Sequence, residues 1–154
     1  MEGPSARPRP PHGLAIRDAE PRDDLALARL LIELGHTIPV AEIGPRRERF
    51  LAEAGARILV AELDGVVCAF AAITIMHPLQ RDRPVAYVTA LAVAPGVRRR
   101  GVGRALLAAV ERASREAGCG HASLTSAEHR AGAHAFYPSA GWPLTGRRFG
   151  RELG

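Results

Sequence analysis

Apolar and polar positions along this chain change their period several times, and each change marks an element. Leu14-Ala15-Ile16-Arg17-Asp18 predicts a short first strand. From Glu20 to Leu34 the apolar residues fall at 25, 27, 28, 30, 31, 32 and 34, the repeat of a helix, and Gly35 closes it. Val40 to Ala54 predicts a second helical stretch, broken at Gly44-Pro45 because proline removes a donor and crowds the preceding turn. Ala56 to Leu63 and Val66 to Met76 read as strands joined by Asp64-Gly65, a two-residue hairpin signal. Val85 to Val93 is apolar almost throughout, as in a central strand covered on both faces. From Val102 the apolar positions 102, 105, 106, 109, 110, 113 and 117 keep to one helical stripe, with Arg104, Glu111, Arg112, Arg115 and Glu116 pointing away and Gly118 as the stop. His121 to Thr125 predicts a fifth strand, Arg130 to Ser139 a short helix and Trp142 to Phe149 a final strand.

Composition narrows this pattern to one unit. A chain of 154 residues with 47% hydrophobic content buries a real core in a single domain, here residues 13–154. Residues 1–12, with proline at 4, 8, 10 and 11, read as a disordered leader that is neither strand, helix nor secretory signal. No apolar run approaches the roughly 20 residues that span a bilayer, so no membrane is expected and the expected location is cytoplasmic. Cys68 and Cys119, far apart among small apolar neighbours, read as buried free thiols rather than a disulfide or a metal site. The net charge of +5, carried by 21 basic residues that are all Arg, raises nucleic acid as a partner. Those charges are dispersed, and no aromatic RNA-binding platform or helix-turn-helix signature accompanies them. An anionic cofactor accounts for the bias as well, so no nucleic-acid partner is expected.

The most informative segment is Val93-Ala94-Pro95-Gly96-Val97-Arg98-Arg99-Arg100-Gly101-Val102-Gly103-Arg104, a turn between the central strand and the striped helix. Gly101 and Gly103 lack Cβ atoms, so an anion can come close to the main chain there. The first N–H groups of the following helix have no intrahelical acceptor and sit at the positive end of its dipole. Arg98, Arg99, Arg100 and Arg104 surround the place with fixed cations. Two familiar phosphate loops do not fit. Gly96 and Gly101 have the P-loop spacing, but Val102 and Gly103 stand where Lys and Ser/Thr must follow, and Leu106 occupies the third glycine position of a dinucleotide fingerprint. Taken alone, the segment also fits an ordinary connection whose arginines face water.

Arg98-x-x-Gly101-x-Gly103 after a strand ending Leu91-Ala92-Val93 resembles the acyl-CoA pyrophosphate loop of the GCN5-related N-acetyltransferases, the GNAT family. A second segment, Glu128 to Trp142 with Phe136-Tyr137 and Gly141-Trp142, is similar to that family's downstream helix and aromatic pair. The resemblance spans about residues 14–149, is specific in 88–107 and 124–142, and is nearest to the small-amine acetylases, including the aminoalkylphosphonate type. It implies an α/β (mixed α+β) fold whose central, mostly antiparallel twisted sheet splays between the fourth and fifth strands and is flanked by helices. It also implies that acetyl-CoA binds at Arg98, Arg99, Arg100, Gly101, Val102, Gly103 and Arg104. The pantetheine arm would pair with the main chain of Leu91, Ala92 and Val93 as an added strand, and a backbone N–H near Leu91 or Ala92 would receive the developing oxyanion.

Acetyl transfer from a thioester to an amine needs a base and an acid. An alkyl ammonium with a pKa of about 10.4 must lose a proton before it attacks, and a thiolate of pKa about 8.5 leaves best when protonated. Tyr137 matches the family's tyrosine beside the cofactor sulfur and is the expected acid. Neighbouring helical residues face different ways, so one of Phe136 and Tyr137 packs inward while the other faces the cleft. Many relatives carry a carboxylate where this chain has Tyr87, Val88, Thr89, Ala90 and Leu91, and none is present. His77 is the candidate base, since its pKa near 6.5 suits the task; a water chain ending at Glu128 or His129 is the other route, and His134 reads as structural. The expected activity is an acetyl-CoA-dependent N-acetyltransferase acting on a small-molecule primary amine by direct attack, with no metal implied. Acetylation of protein N-termini or lysines, and a non-catalytic acyl-CoA sensor, fit the same residues. Acceptor selectivity is expected from residues 30–50 and 76–84, with His36, Glu42, His77 and Arg81 as contacts, and a homodimer through the final strand.

Overall fold

Asp64 and Gly65 take left-handed backbone angles, φ +51° and +81°, which only a type I′ turn demands of both central residues, and the hairpin they close seeds the sheet. The computed structural model describes residues 9–126 and 131–154. Strand β1 (Leu14–Asp18) pairs antiparallel with β2 (Arg57–Leu63), β2 with β3 (Val66–Met76), and β3 with β4 (Val85–Val93). Strand β5 (His121–Leu124) then joins β4 in parallel, giving the order β1-β2-β3-β4-β5. Helices α1 (Asp24–Ile32) and α2 (Val40–Leu51) precede β2, α3 (Val102–Glu116) makes the crossover from β4 to β5, and α4 (Ala131–Ser139) follows β5. The fold is the mixed α/β sheet implied by the sequence.

Two apolar cores sandwich the sheet. On one face Val102, Leu106, Ala109, Val110 and Ala113 of α3 lie against Leu59, Ala61, Ala69, Ala71 and Ile73. On the other, Leu27, Ala28 and Leu30 of α1 and Ile43 of α2 cover Ile58, Val60, Phe70, Ala72 and Ala92. The stripe at 102, 106, 109, 110 and 113 is therefore the buried face of α3, as its period demands. Gly118, with φ +81°, ends that helix, and the N–H of Cys119 reaches back to the Ser114 carbonyl at 3.0 Å. Both cysteines are free and buried, and burial pushes each thiol pKa up. Among the described residues no helix is long and apolar enough to cross a membrane.

Three expectations change. Helix α2 runs unbroken through Pro45: proline removes a single i to i−4 bond, while buried Ile43 and the Arg47–Asp24 pair at 2.8 Å tie both sides of it to α1. The first helix is shorter than predicted, since Pro21–Asp23 form a 3-10 turn before α1 begins. The expected strand Trp142–Phe149 does not form. Pro143 has no N–H for a ladder, Gly146 adds backbone freedom, and Leu144 and Phe149 remain 83% and 94% exposed, so no burial offsets the entropy of ordering. Of the leader, residues 9–12 are described: the Leu14 N–H donates to the Pro11 carbonyl at 3.3 Å, and the Pro11 ring lies against Gly101.

Asp23 is 3% exposed, and Arg17 grips both its oxygens at 2.7 and 2.8 Å while also reaching Glu62. The guanidinium holds the Asp23 carboxyl below the usual carboxylate range. A depressed folded pKa means that this contribution is present above the unfolded value of about 3.9 and is lost as pH falls through the folded value. Arg17→Ala is expected to destabilise the fold by about 3 kcal/mol at pH 7, because it strands a buried charge. That penalty shrinks below pH 4 as Asp23 protonates. Urea unfolding of both proteins at pH 7 and pH 3 checks it; an equal difference at both pH values would refute the role of the pair.

Candidate functional site

The site grows out of one irregularity in β4. Ala72 pairs with Ala90 but Ile73 pairs with Val88, so Thr89 is an extra residue, a β-bulge. Period-two alternation resets across it. Ala86 and Val88 face α3 before the bulge, and Leu91 and Val93 face it afterwards, whereas Ala90 and Ala92 lie against the α1 and α2 core. Pairing with β5 stops at Val88 and Leu124, one step before the bulge. On the side of β5 the edge of β4 from Thr89 to Val93 is thereby left without a strand partner among the described residues, and a slot opens beyond the end of β5.

The arginine- and glycine-rich turn after β4 closes one end of that slot. After a 3-10 turn over Pro95–Val97, Arg99 has φ +63° and Gly101 has φ +83°, and α3 starts directly from Gly101. Left-handed residues on either side of Arg100, at a helix start, make the kind of backbone concavity that collects N–H groups around an anion. A non-glycine residue at positive φ stores strain, a recurrent property of ligand clamps. The four arginines separate into two pairs by what they touch. Arg98 donates from Nε to the Val93 carbonyl at 3.3 Å and from Nη2 to Glu33 Oε2 at 3.0 Å, bracing the loop against α1. Arg104 donates to the Ser139 carbonyl at 3.2 Å and to Ser139 Oγ at 3.3 Å, tying α3 to α4. Arg99 and Arg100 are exposed, with no side-chain hydrogen bond or ion pair among the described residues. They are the two cations left to meet an anion.

Helix α4 closes the other side. A Cβ built on Gly103 would stand 3.3 Å from Phe136 Cζ and 3.5 Å from Val93 Cγ2, so the absent side chain is the seat of the Phe136 ring. Phe136 therefore packs inward. The Tyr137 ring lies 5.3 Å from it at 56°, half-buried. Trp142 anchors the end of the segment, its Nε1 donating to Glu111 Oε1 at 3.0 Å and its ring on the α3 core. Gly103 thus joins the phosphate loop, the unpaired edge of β4 and the segment that carries Tyr137.

Other expected residues lie elsewhere. His77 is exposed just after Met76, which pairs with Val85, at the end of β4 remote from the loop. His134 is exposed on α4. Glu128 and His129 lie outside the described residues. On the face of β4 away from α3, Tyr87 Oη and Thr125 Oγ1 are 2.9 Å apart, and Arg148 Nη1 donates to the same threonine oxygen at 3.3 Å. Neither this trio nor the Thr89 bulge has a signal in the sequence, because an apolar strand shows no alternation to interrupt.

The arrangement fits an acyl-CoA. There is a glycine-lined anion seat with two exposed arginines and, next to it, a strand edge that amides can join. Comparison with known proteins agrees with that geometry. The profile of the acetyltransferase (GNAT) family matches residues 26–142. Aminoglycoside N(6')-acetyltransferase type 1 of Stenotrophomonas maltophilia is 34% identical over 138 residues, which cover 86% of this chain and 88% of that protein. Among solved structures, an acetyltransferase described as putative from Agrobacterium tumefaciens superposes with a TM-score of 0.81 at 28% identity, covering 90% of this chain and 99% of that one. Aminoglycoside N-acetyltransferase AAC(6')-Iy, solved in complex with CoA, gives 0.79 at 25% identity, covering 96% and 99%.

Proposed function

Because this chain belongs to the GNAT acetyltransferase family and is an acyltransferase that uses acetyl-CoA, we propose that it acetylates a primary amine of a small molecule by direct attack, with Tyr137 as the general acid. The observation that carries this reading is the junction at Gly103, where the anion seat, the free edge of β4 and the Phe136-Tyr137 pair meet. Relatives named as aminoglycoside acetyltransferases support a small amine as the acceptor.

Acetyl-CoA supplies an activated thioester whose acetyl group passes to the amine while the thiol leaves. The chain's own residues do the positioning. Arg99, Arg100 and the N–H groups between Arg98 and Gly103 hold the phosphates, with Val102 and Gly103 forming the first turn of α3 beneath them. Arg98 and Arg104 hold that seat still through Glu33 and Ser139. The main chain of Leu91, Ala92 and Val93 takes the amides of the arm, and an N–H near Leu91 or Ala92 stabilises the charge that develops on the carbonyl oxygen. Tyr137 donates a proton to the departing sulfur. No carboxylate stands between Tyr87 and Leu91 to take the proton of the amine. His77 follows Met76, whose partner Val85 is five residues before Ala90, so at about 3.3 Å per residue it lies roughly 17 Å along the strand from the slot. That is beyond the reach of a general base acting directly or through one water, so His77 does not take the proton of the amine itself.

Thiol release from acetyl-CoA, measured with a panel of small primary amines and with lysine-bearing peptides, tests the reading. Release with small amines is expected. Release with peptides alone, or none in the presence of bound acetyl-CoA, would refute it.

A further inference from the structure

The trio Tyr87, Thr125 and Arg148 sits where the slot begins, on the face opposite α4. Ala86, Val88, Ala122 and Leu124 pack toward α3, so by alternation Tyr87 and Thr125 project the other way. Their hydroxyls share a 2.9 Å hydrogen bond across the end of the β4–β5 ladder, whose last pair is Val88 and Leu124. Arg148 spends one donor on Thr125, and among the described residues its guanidinium has no carboxylate partner. That sets it apart from Arg17, Arg47, Arg57 and Arg98, each of which is ion-paired. Of the acids on α1, its C-cap and α2, Asp24, Glu33 and Glu42 are engaged by Arg47, Arg98 and Arg46, and exposed Glu48 has no ion pair among the described residues. The face of β4 away from α3 therefore presents, where β4 and β5 part, an unneutralised guanidinium beside a hydroxyl pair with one O–H proton not used between them, a donor set matched to an oxyanion.

We propose that the acceptor is a small primary amine that also carries an anionic group, carboxylate or phosphate, which Arg148 receives with the one O–H that the Tyr87–Thr125 hydroxyl pair leaves free. This inference rests on the acetyltransferase reading above and narrows its substrate class. A polycation such as an aminoglycoside would meet the same guanidinium with like charge.

The test compares kcat/KM for propylamine, β-alanine, O-phosphoethanolamine and sisomicin, in the native protein and in Arg148→Gln, Arg148→Lys and Thr125→Val. The anionic amines are expected to exceed propylamine by about 10- to 100-fold, the range of one or two charge-assisted hydrogen bonds. β-Alanine against O-phosphoethanolamine tells which anion is preferred. In Arg148→Gln the ratio of anionic to neutral amine should fall to about one through KM, and Arg148→Lys should restore part of it. Thr125→Val should lower the ratio without erasing it, since the cation remains. If propylamine or sisomicin is used as well as the anionic amines, or if the ratio survives Arg148→Gln, the anion site is refuted while the acetyltransferase reading stands. If no amine releases thiol, the earlier reading fails and this one with it.

Discussion

Tyr137→Phe is expected to lower kcat by about 100- to 1,000-fold while the affinity for acetyl-CoA changes by less than about twofold, the range for removal of a general acid. The change deletes one oxygen and keeps the ring beside Phe136, so the packing of α4 is preserved. A thiol of pKa about 8.5 is a tolerable leaving group as the anion, which keeps the loss finite rather than total. In free energy this is about 3 to 4 kcal/mol of barrier. Initial rates from thiol release, with calorimetric titration of acetyl-CoA, separate the two quantities. Full kcat in the variant would remove Tyr137 from the chemistry; lost affinity with normal kcat would make it a binding residue.

Gly103→Val is expected to weaken acetyl-CoA binding by at least about tenfold and to lower kcat as well, whereas Tyr137→Phe lowers kcat and leaves the affinity nearly unchanged. A Cβ at 3.3 Å from Phe136 Cζ is already tight, and the two valine methyls extend into the ring and Val93. Overpacking of this kind costs about 1 to 3 kcal/mol when the neighbours must move. The neighbour that can move is Phe136, and Tyr137 moves with it. One substitution therefore perturbs the anion seat and the acid together, and thermal unfolding should show a modest decrease in stability. Unchanged affinity and rate would mean that α4 does not depend on this glycine. Gly103→Ala, with no branched methyls, should lie between the native protein and the valine variant.

Much of the architecture was legible because its signals are local. The Asp64-Gly65 turn requires positive φ at both positions, and few other residue pairs supply it as readily. The stripe on α3 and the stop at Gly118 follow from period and from a left-handed cap, and both are as expected. The errors are local signals outweighed by packing. Pro45 breaks an isolated helix but not one held to α1 by Ile43 and Arg47. Trp142 to Phe149 reads as a strand, yet beyond Trp142, whose ring lies on the α3 core, Leu144 and Phe149 have nothing to cover them.

The site divides in the same way. The proposal of an anion at the Arg98–Arg104 turn rests on residue types alone: glycines where the backbone must be bare, arginines around them and a helix start behind. Which arginines remain available is not written in them. Arg98 is taken up by Glu33, 65 positions away, and Arg104 by Ser139, 35 positions away, and such pairings exist only once α1 and α4 have docked. The slot itself depends on Thr89 standing out of register. Register is a property of two paired strands, and an apolar run reads alike in either phase. The amino-acid order by itself therefore determined most of the elements, the glycine and arginine turn at the start of α3 and the residue types offered for the chemistry. Only tertiary packing decided where β4 and β5 part, which cations stay free and what faces the acceptor, because each is set by contacts between segments distant along the chain.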